Sequence, residues 1–301
     1  MIRRNFLKVT AAGLVGSSVK STSLSGKPSS GRIVTVTGSI DPGDAGLLLP
    51  HEHVMSRFGA EISDNPVYDS EVLNNRVRPY LEYLNGLGVG TVADCTTRYF
   101  GRDVRILKKM SDRSGIRIIA NTGYYGAADD RYVPDLAYRE SAEQLAARWT
   151  GEFRDGVGGT GIRPGFIKIG VDPGPLSEID AKLVRAAAKT HLQTGLVMAI
   201  HTGGSLVSVK QQMDILREEG VGPEAWIWVH AQGAESVDDL VFAAEKGAWI
   251  EFDGVSEVNA ESHLELVNSM KSRGLLNRVL LSHDGNSYNA VGKGLPKGYD
   301  A

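Results

Sequence analysis

The feature that most constrains this chain is a regular alternation of short apolar segments with amphipathic ones. The apolar segments end near eight residues: His53, Cys95, Gly123, Lys168, His201, His230, Phe252 and Asp284. From the first of these to the last, the chain covers 231 residues in seven steps of 33, the length of one strand and helix in a parallel sheet. We therefore predict a (β/α)8 TIM barrel. A doubly wound open sheet is the alternative, and it would scatter the polar residues that end the strands.

Glycine and serine mark the boundaries of the predicted helices. Six amphipathic segments stop on a glycine just before the next apolar segment: Gly88, Gly115, Gly195, Gly220, Gly247 and Gly274. Glycine adopts the left-handed conformation that ends a helix without a steric penalty. Two segments begin with a capping pattern, at Ser177 and at Ser236, each with an acidic residue three positions later. These signals predict helices between the strands.

The first 30 residues are expected to lie outside the barrel. Arg3 and Arg4 precede Asn-Phe-Leu-Lys, a mildly apolar stretch over 9–19 and a serine-rich tail. This pattern is typical of a twin-arginine signal peptide and predicts export to the periplasm or the outside of the cell. The apolar stretch is too short to remain as a membrane span. We expect one domain over residues 31–301, beginning with a short antiparallel β-hairpin.

The composition describes an ordinary soluble enzyme-sized chain. Of its 301 residues, 42% are hydrophobic and 23% charged, and the net charge is −3. Because there is no basic excess, a nucleic-acid partner is not expected. The predicted partner is a small molecule, and a homodimer is left open. The single cysteine, Cys95, cannot form an internal disulfide and is expected to be a buried, inert thiol.

Histidines gather at the ends of the predicted strands. Five of the seven occupy such positions, where a barrel keeps its chemistry. His51 and His53 are two residues apart on an extended segment, so both rings lie on one face and can reach one metal ion. His283 should point away from Asp284 and have a structural role. The remaining two, His191 and His263, fall inside predicted helices and are expected to be solvated or packed in the core.

Lys168 is the unusual residue among the strand ends. It lies in the apolar segment Phe-Ile-Lys-Ile, where an unpaired ammonium is costly. Burial favours the neutral, nucleophilic amine, which can react with carbon dioxide to give a carbamate that bridges two cations. The alternative is a structural lysine paired with a buried acid such as Asp94 or Asp284.

Six residues, in this order and at these intervals, resemble the pattern of the phosphotriesterase-related family of the amidohydrolase superfamily: His51, His53, Lys168, His201, His230 and Asp284. The resemblance extends from about residue 32 to the end of the sequence. It implies a (β/α)8 barrel with two divalent ions, most often Zn2+, with Mn2+, Co2+ or Fe2+ as other candidates. It also implies the ligand assignment: His51, His53 and Asp284 on the more buried ion, His201 and His230 on the more exposed one, and Lys168, as N6-carboxylysine, between them.

The resemblance further implies a hydrolase in which a metal-bridging hydroxide attacks an ester-like centre, with Asp284 as the proton acceptor. Tyr125 resembles a position that is tyrosine in lactonases of the family and tryptophan in its organophosphate hydrolases, which favours lactones as substrates. Phe252-Asp253-Gly254-Val255 lacks the arginine found there in many lactonases, so phosphotriesters stay an alternative. A metal-binding barrel without hydrolytic activity is the second hypothesis.

The end of the sequence also departs from the family pattern. Only 17 residues follow Asp284, and those from Gly292 to Gly298 have the composition of a loop. Members of the family continue with a long loop and an eighth helix. We therefore expect a C-terminally truncated sequence that leaves the outer faces of strands one and eight uncovered.

Overall fold

A computed structural model describes residues 31–291 of the chain. The twin-arginine pattern and the last ten residues lie outside this range. Within it, no helix is long and apolar enough to cross a membrane.

The described chain begins with the expected hairpin. Strands β1 (Ile33–Thr35) and β2 (Gly38–Ile40) pair antiparallel, with Thr35 opposite Gly38. Gly38 has a φ of 129°, a value that favours glycine. A 3-10 helix, Pro42–Asp44, follows β2.

The barrel consists of eight parallel strand positions, two of which are interrupted. Strands β3, β4, β7, β8, β9 and β10 are continuous, whereas position three comprises β5 and β6 and position eight comprises β11 and β12. Their bounds are Leu47–His53, Val89–Asp94, Arg117–Ile119, Asn121–Thr122, Phe166–Gly170, Met198–His201, Trp226–Val229, Trp249–Phe252, Val279–Leu281 and Gly285–Asn286.

The interrupted strands join two sheets into a closed ring. One sheet has the order β11-β10-β9-β8-β7-β6 and the other β12-β3-β4-β5. Because β5 leads into β6 and β11 leads toward β12, the two sheets share strand positions three and eight. The pairing of Gly285 with Glu52 and of Asn286 with His53 closes the barrel between its last and first strands. The predicted (β/α)8 architecture is confirmed.

Helices cover the outside of the ring in the order α1 to α8. The first contains Ser70–Val72, a π-helical stretch Leu73–Val77 and Arg78–Gly86. The others are Val104–Ser114, Asp135–Arg139, Ala142–Asp155, Glu178–Thr194, Leu206–Glu218, Val237–Glu245 and Ala260–Ser272. All six glycines that were predicted to end helices have positive φ values, between 74° and 109°. Ser177 and Ser236 accept hydrogen bonds from the backbone N–H three residues later, as predicted for helix caps.

The core lies between the strands and these helices. Helix α5 buries Ile179, Leu183, Ala186 and Ala187, the face expected from the sequence. Trp149, Trp226 and Trp228 are among the largest fully buried side chains.

Strand eight differs from the prediction. Its first segment, β11, ends at Leu281, and Asp284 lies in the interruption just before β12. Asp284 has a φ of 51°, which is incompatible with an extended strand. The outer face of this position is open in the described part of the chain, where Leu281 is 44% exposed and Leu47 on β3 is 57% exposed.

Candidate metal centre

Three of the predicted ligands meet at the carboxyl ends of strands one and eight. The Nε2 atoms of His51 and His53 lie 3.2 and 3.3 Å from the same carboxylate oxygen, Oδ1 of Asp284. One potential ligand atom from each of the three residues lies within 4.8 Å of the other two. This spacing suits a single ion that replaces the direct contacts among the three groups.

His201 and His230 lie beside this cluster. Their ring centroids are 4.2 Å apart, and the centroid of His230 is 5.1 Å from that of His51. His230 directly follows β9 and has a φ of 64°, so the chain leaves the strand at the residue that faces the centre. Backbone conformations of this kind are costly and are concentrated at functional sites.

Lys168 lies within the barrel wall and is only 1% exposed. Its neighbours Ile167 and Ile169 belong to the core on the helix side of β7, so strand alternation directs Lys168 to the interior. Within the described residues its Nζ has no hydrogen-bond partner, and the alternative of a lysine paired with Asp94 or Asp284 is not observed. An orphaned buried nitrogen requires an explanation beyond the stability of the barrel.

Asp253 fixes two of the histidine rings. Its carboxylate accepts from Nδ1 of His230 at 2.5 Å and from Nδ1 of His51 at 3.2 Å. Glu251 also accepts from Nδ1 of His51, at 2.9 Å. When Nδ1 donates its proton in this way, Nε2 presents a lone pair. In its neutral form, each ring is therefore held in the tautomer that can bind metal through Nε2.

Thr96 does the same for His53. The Thr96 hydroxyl donates to the carbonyl oxygen of Met55 at 2.9 Å, so its one proton is used. It therefore accepts from Nδ1 of His53, 2.8 Å away. This bond leaves Nε2 of His53 free to face Asp284.

Glu52 holds the loop that carries Asp284. Its Oε1 accepts from the hydroxyl of Ser282 and from the backbone N–H of His283, at 2.8 and 3.1 Å. Its Oε2 accepts from the backbone N–H of Gly285 at 3.1 Å. The side chain of His283 also contacts Glu52, at 3.2 Å, which agrees with the structural role predicted for it. The middle residue of His-Glu-His thus links the first strand to the last ligand.

The groups of the cluster shift one another's pKa values. Burial acts to raise the pKa of Asp284, but a positive charge on His51 and a hydrogen bond from His53 outweigh it and hold that pKa well below its usual range. Burial, the neighbouring His230 and Lys168 together lower the pKa of His201 well below its usual value. An ionised carboxylate and a neutral imidazole are the forms that bind divalent cations.

Aromatic side chains form one wall of the centre. The hydroxyl of Tyr125 lies 3.1 Å from Nδ1 of His201, which places this predicted substrate contact beside the more exposed half of the cluster. Phe100 stacks on Tyr125 at 5.3 Å and lies 5.4 Å from His53, measured between ring centroids. Phe58 packs on Phe100 and is itself 51% exposed. The wall offers an apolar surface to a bound molecule.

The sequence reasoning missed the residues behind the rings. Glu251 in β10 and Asp253 just after the strand are two apart in an otherwise apolar segment and are therefore expected to share a face. This is the same signal that identified His51 and His53, and it was available. Thr96 and Glu52 carry no such signal, because their roles depend on which ring or loop lies opposite them.

Comparison with known proteins agrees with this arrangement. The model of the phosphotriesterase family matches residues 31–299. The chain is 29% identical over 256 residues to the phosphotriesterase homology protein of Escherichia coli strain K12, covering 82% of this chain and 83% of that protein. It is also 29% identical over 259 residues to an aryldialkylphosphatase of Saccharolobus solfataricus, covering 82% and 79%.

Solved structures show the same relationship. The organophosphorus hydrolase from Deinococcus radiodurans superposes with a TM-score of 0.79 at 25% identity, covering 92% of this chain and 86% of that one. The family model spans all of the described residues and every predicted ligand. This chain belongs to the phosphotriesterase family.

Proposed function

We propose that this chain is a binuclear metal-dependent hydrolase that acts on an ester-like centre, either a lactone or a phosphotriester. The observation that carries the proposal is the convergence of His51, His53 and Asp284 beside Lys168, whose buried amine has no hydrogen-bond partner among residues 31–291. Neither feature is needed to stabilise a barrel. Together they supply what a pair of cations and their bridge require.

The donor set fits two divalent ions. His51, His53 and Asp284 would hold the more buried ion, and His201 and His230 the more exposed one. Imidazole nitrogens with carboxylate oxygens favour zinc, while Mn2+, Co2+ and Fe2+ accept the same donors. Lys168, as N6-carboxylysine, would contribute an oxygen to each ion.

The side chains around the centre have different roles in the proposed reaction. Divalent ions at this centre would acidify water and polarise the bond that is cleaved. Asp284 lies within reach of both His51 and His53 and is ionised, so it is the group placed to take a proton. Asp253 and Thr96 keep the rings in their binding tautomer. Tyr125 lies beside His201 and meets the substrate on the exposed side.

The aromatic wall indicates the substrate class. Phe58 and Tyr125 offer an apolar surface next to the metal ligands, with the buried Phe100 packed against both. This surface suits the alkyl arm of a lactone or the aryl group of a phosphotriester. The described loop after β10 (residues 253–259) has no cationic side chain, so it offers no direct partner for an anionic substituent.

We also propose export by the twin-arginine route to the periplasm or the outside of the cell. The support is the Arg3-Arg4 pattern and the apolar stretch after it. Cell fractionation of a tagged full-length chain, compared with an Arg3→Lys, Arg4→Lys variant, tests this. Retention of the variant in the cytoplasm is expected, and equal export of both would refute the proposal.

A substrate panel tests the hydrolase proposal. The protein reconstituted with Zn2+, Mn2+ or Co2+ and bicarbonate is assayed with a dialkyl aryl phosphate, a series of lactones and N-acetyltaurine, since some relatives are N-acetyltaurine hydrolases. Turnover of a phosphotriester or lactone that disappears with chelator and in Asp284→Asn is expected. A protein that binds two ions but hydrolyses none of these would instead support a metal-binding barrel without this activity.

A further inference from the structure

His263 is a buried histidine whose two ring nitrogens both face backbone carbonyl oxygens. It belongs to α8 and is 7% exposed. Its Nδ1 lies 3.0 Å from the carbonyl oxygen of Asn259, and its Nε2 lies 2.9 Å from that of Asp253. The ring also borders a cavity of about 410 Å³. The two polar contacts of the ring are therefore both made to the backbone around the loop after β10.

These two carbonyls are the two ends of the loop after β10. Asn259 closes the same loop from within: its amide nitrogen donates to the carbonyl oxygen of Gly254 at 2.8 Å, and its Oδ1 accepts from the backbone N–H of Ser256 at 2.8 Å. His263 therefore connects the first residue of the loop to the helix that follows it.

The first residue of this loop is Asp253, which orients His51 and His230. Its peptide group is held on both sides. The backbone N–H of Asp253 donates to Oε1 of Gln232 at 3.2 Å, and its carbonyl accepts from His263. Gln232 also donates to the carboxylate at 2.8 Å. Because the N–H and the carbonyl of Asp253 are both held by hydrogen bonds, its carboxylate is restrained in the orientation that contacts His51 and His230.

We propose that His263 is a positioning residue for the two-ion centre, acting through Asp253. This inference rests on the proposed function. Asp253 contacts one ligand of each predicted ion, so loosening it weakens the binding of both. His263 was expected from the sequence to have only a solvated or core role, and its hydrogen bond to the loop assigns it a further one.

Two substitutions separate the two contacts. A neutral ring has one N–H and donates in only one of them, and the inference requires that donor to be Nε2, toward the carbonyl oxygen of Asp253. In His263→Gln the side-chain amide nitrogen reaches the position of Nε2 and retains the bond to Asp253. In His263→Asn the amide nitrogen lies at the position of Nδ1 and retains only the bond to Asn259. Both replacements are smaller than the ring and border the same cavity, so neither is forced into a clash. His191, in α5, supplies matched controls, because its Nδ1 contacts the carbonyl oxygen of Leu196 at 2.9 Å far from the metal ligands.

Zn2+ affinity is measured by competition with a chelator, together with the melting temperature of the metal-free proteins. We expect His263→Asn to bind both ions on the order of 10-fold more weakly, at the lower end of the effect of residues that support metal ligands. His263→Gln should bind within about 3-fold of wild type, and His191→Asn and His191→Gln should match wild type. The d–d spectrum of the Co2+ form should change only in His263→Asn.

Wild-type affinity in His263→Asn, or equal losses in both His263 variants, would overturn the inference. Failure of the wild-type protein to bind two ions would instead refute the proposed function. If His263→Asn does not fold, proton exchange at His263 in the wild-type protein provides the test instead. Because coupling is reciprocal, Zn2+ should slow exchange of the His263 Nε2 proton in histidine-labelled protein, and an unchanged exchange rate would overturn the inference.

Discussion

Replacing Lys168 with methionine should stabilise the metal-free protein while it removes metal binding. Lys168 is 1% exposed and its Nζ has no hydrogen-bond partner among the described residues. Methionine has a similar length and no polar end. The substitution therefore removes the cost of the buried amine and, with it, the bridge that the amine would form.

The size of the effect follows from the burial. A buried polar group without a partner costs about 1–3 kcal/mol, and a change of shape at nearly constant volume costs less than about 1.5 kcal/mol. We expect the free energy of unfolding to rise by about 1 kcal/mol in the presence of chelator. For a domain of this size, such a gain raises the melting temperature by about 2–4 °C.

Lys182 provides a matched control. Its Nζ donates to the carbonyl oxygens of Ala137 and Tyr138, both at 3.0 Å, so Lys182→Met should destabilise the protein. Denaturation with chelator, followed by metal analysis after reconstitution, measures both effects. If Lys168→Met is less stable than wild type without metal, the amine has a partner in solution. If it still binds two ions, Lys168 is not the bridge.

Two further substitutions test individual contacts. Thr96→Val removes the acceptor for Nδ1 of His53 and should weaken metal binding about 10- to 100-fold, whereas Thr96→Ser should retain it; equal affinities in a chelator competition would contradict this. Burial raises the pKa of Asp180 from an ordinary 3.8 to about 6, so the stability linked to its neutral form is complete below pH 4 and is lost as the pH rises through 6. Asp180→Asn should therefore raise the free energy of unfolding by about 1–3 kcal/mol at pH 8 and hardly change it at pH 4. The exposed Asp155→Asn should show no such gain. If urea melts give the same difference between Asp180→Asn and wild type at both pH values, the reasoning is refuted.

The sequence predicted the barrel because its signals are local and repeated. A glycine such as Gly195 ends a helix whatever the helix packs against, and a 33-residue period allows few parallel topologies. The positions where strands stop were harder to predict. Asp284 and His230 adopt left-handed backbone conformations, which depend on the loops that hold them.

The candidate ligands were predictable because parallel strands bring their carboxyl ends to one rim. The residues that orient them were not, with the exception of the Glu251 and Asp253 pair. Thr96 orients His53 because its own hydroxyl proton is donated to the carbonyl oxygen of Met55. His263 acts through the contact of its ring with the carbonyl oxygen of Asp253. Such roles are set by distances between segments far apart in the chain, which no local pattern encodes.

Elemental analysis of the reconstituted protein tests the central claim most directly. The chain is expressed, incubated with Zn2+ and bicarbonate, freed of excess metal and analysed for metal per chain. We predict close to two ions for wild type and a loss in Asp284→Asn, while the exposed Asp155→Asn retains both. One ion or none in the folded wild-type protein would contradict a binuclear centre.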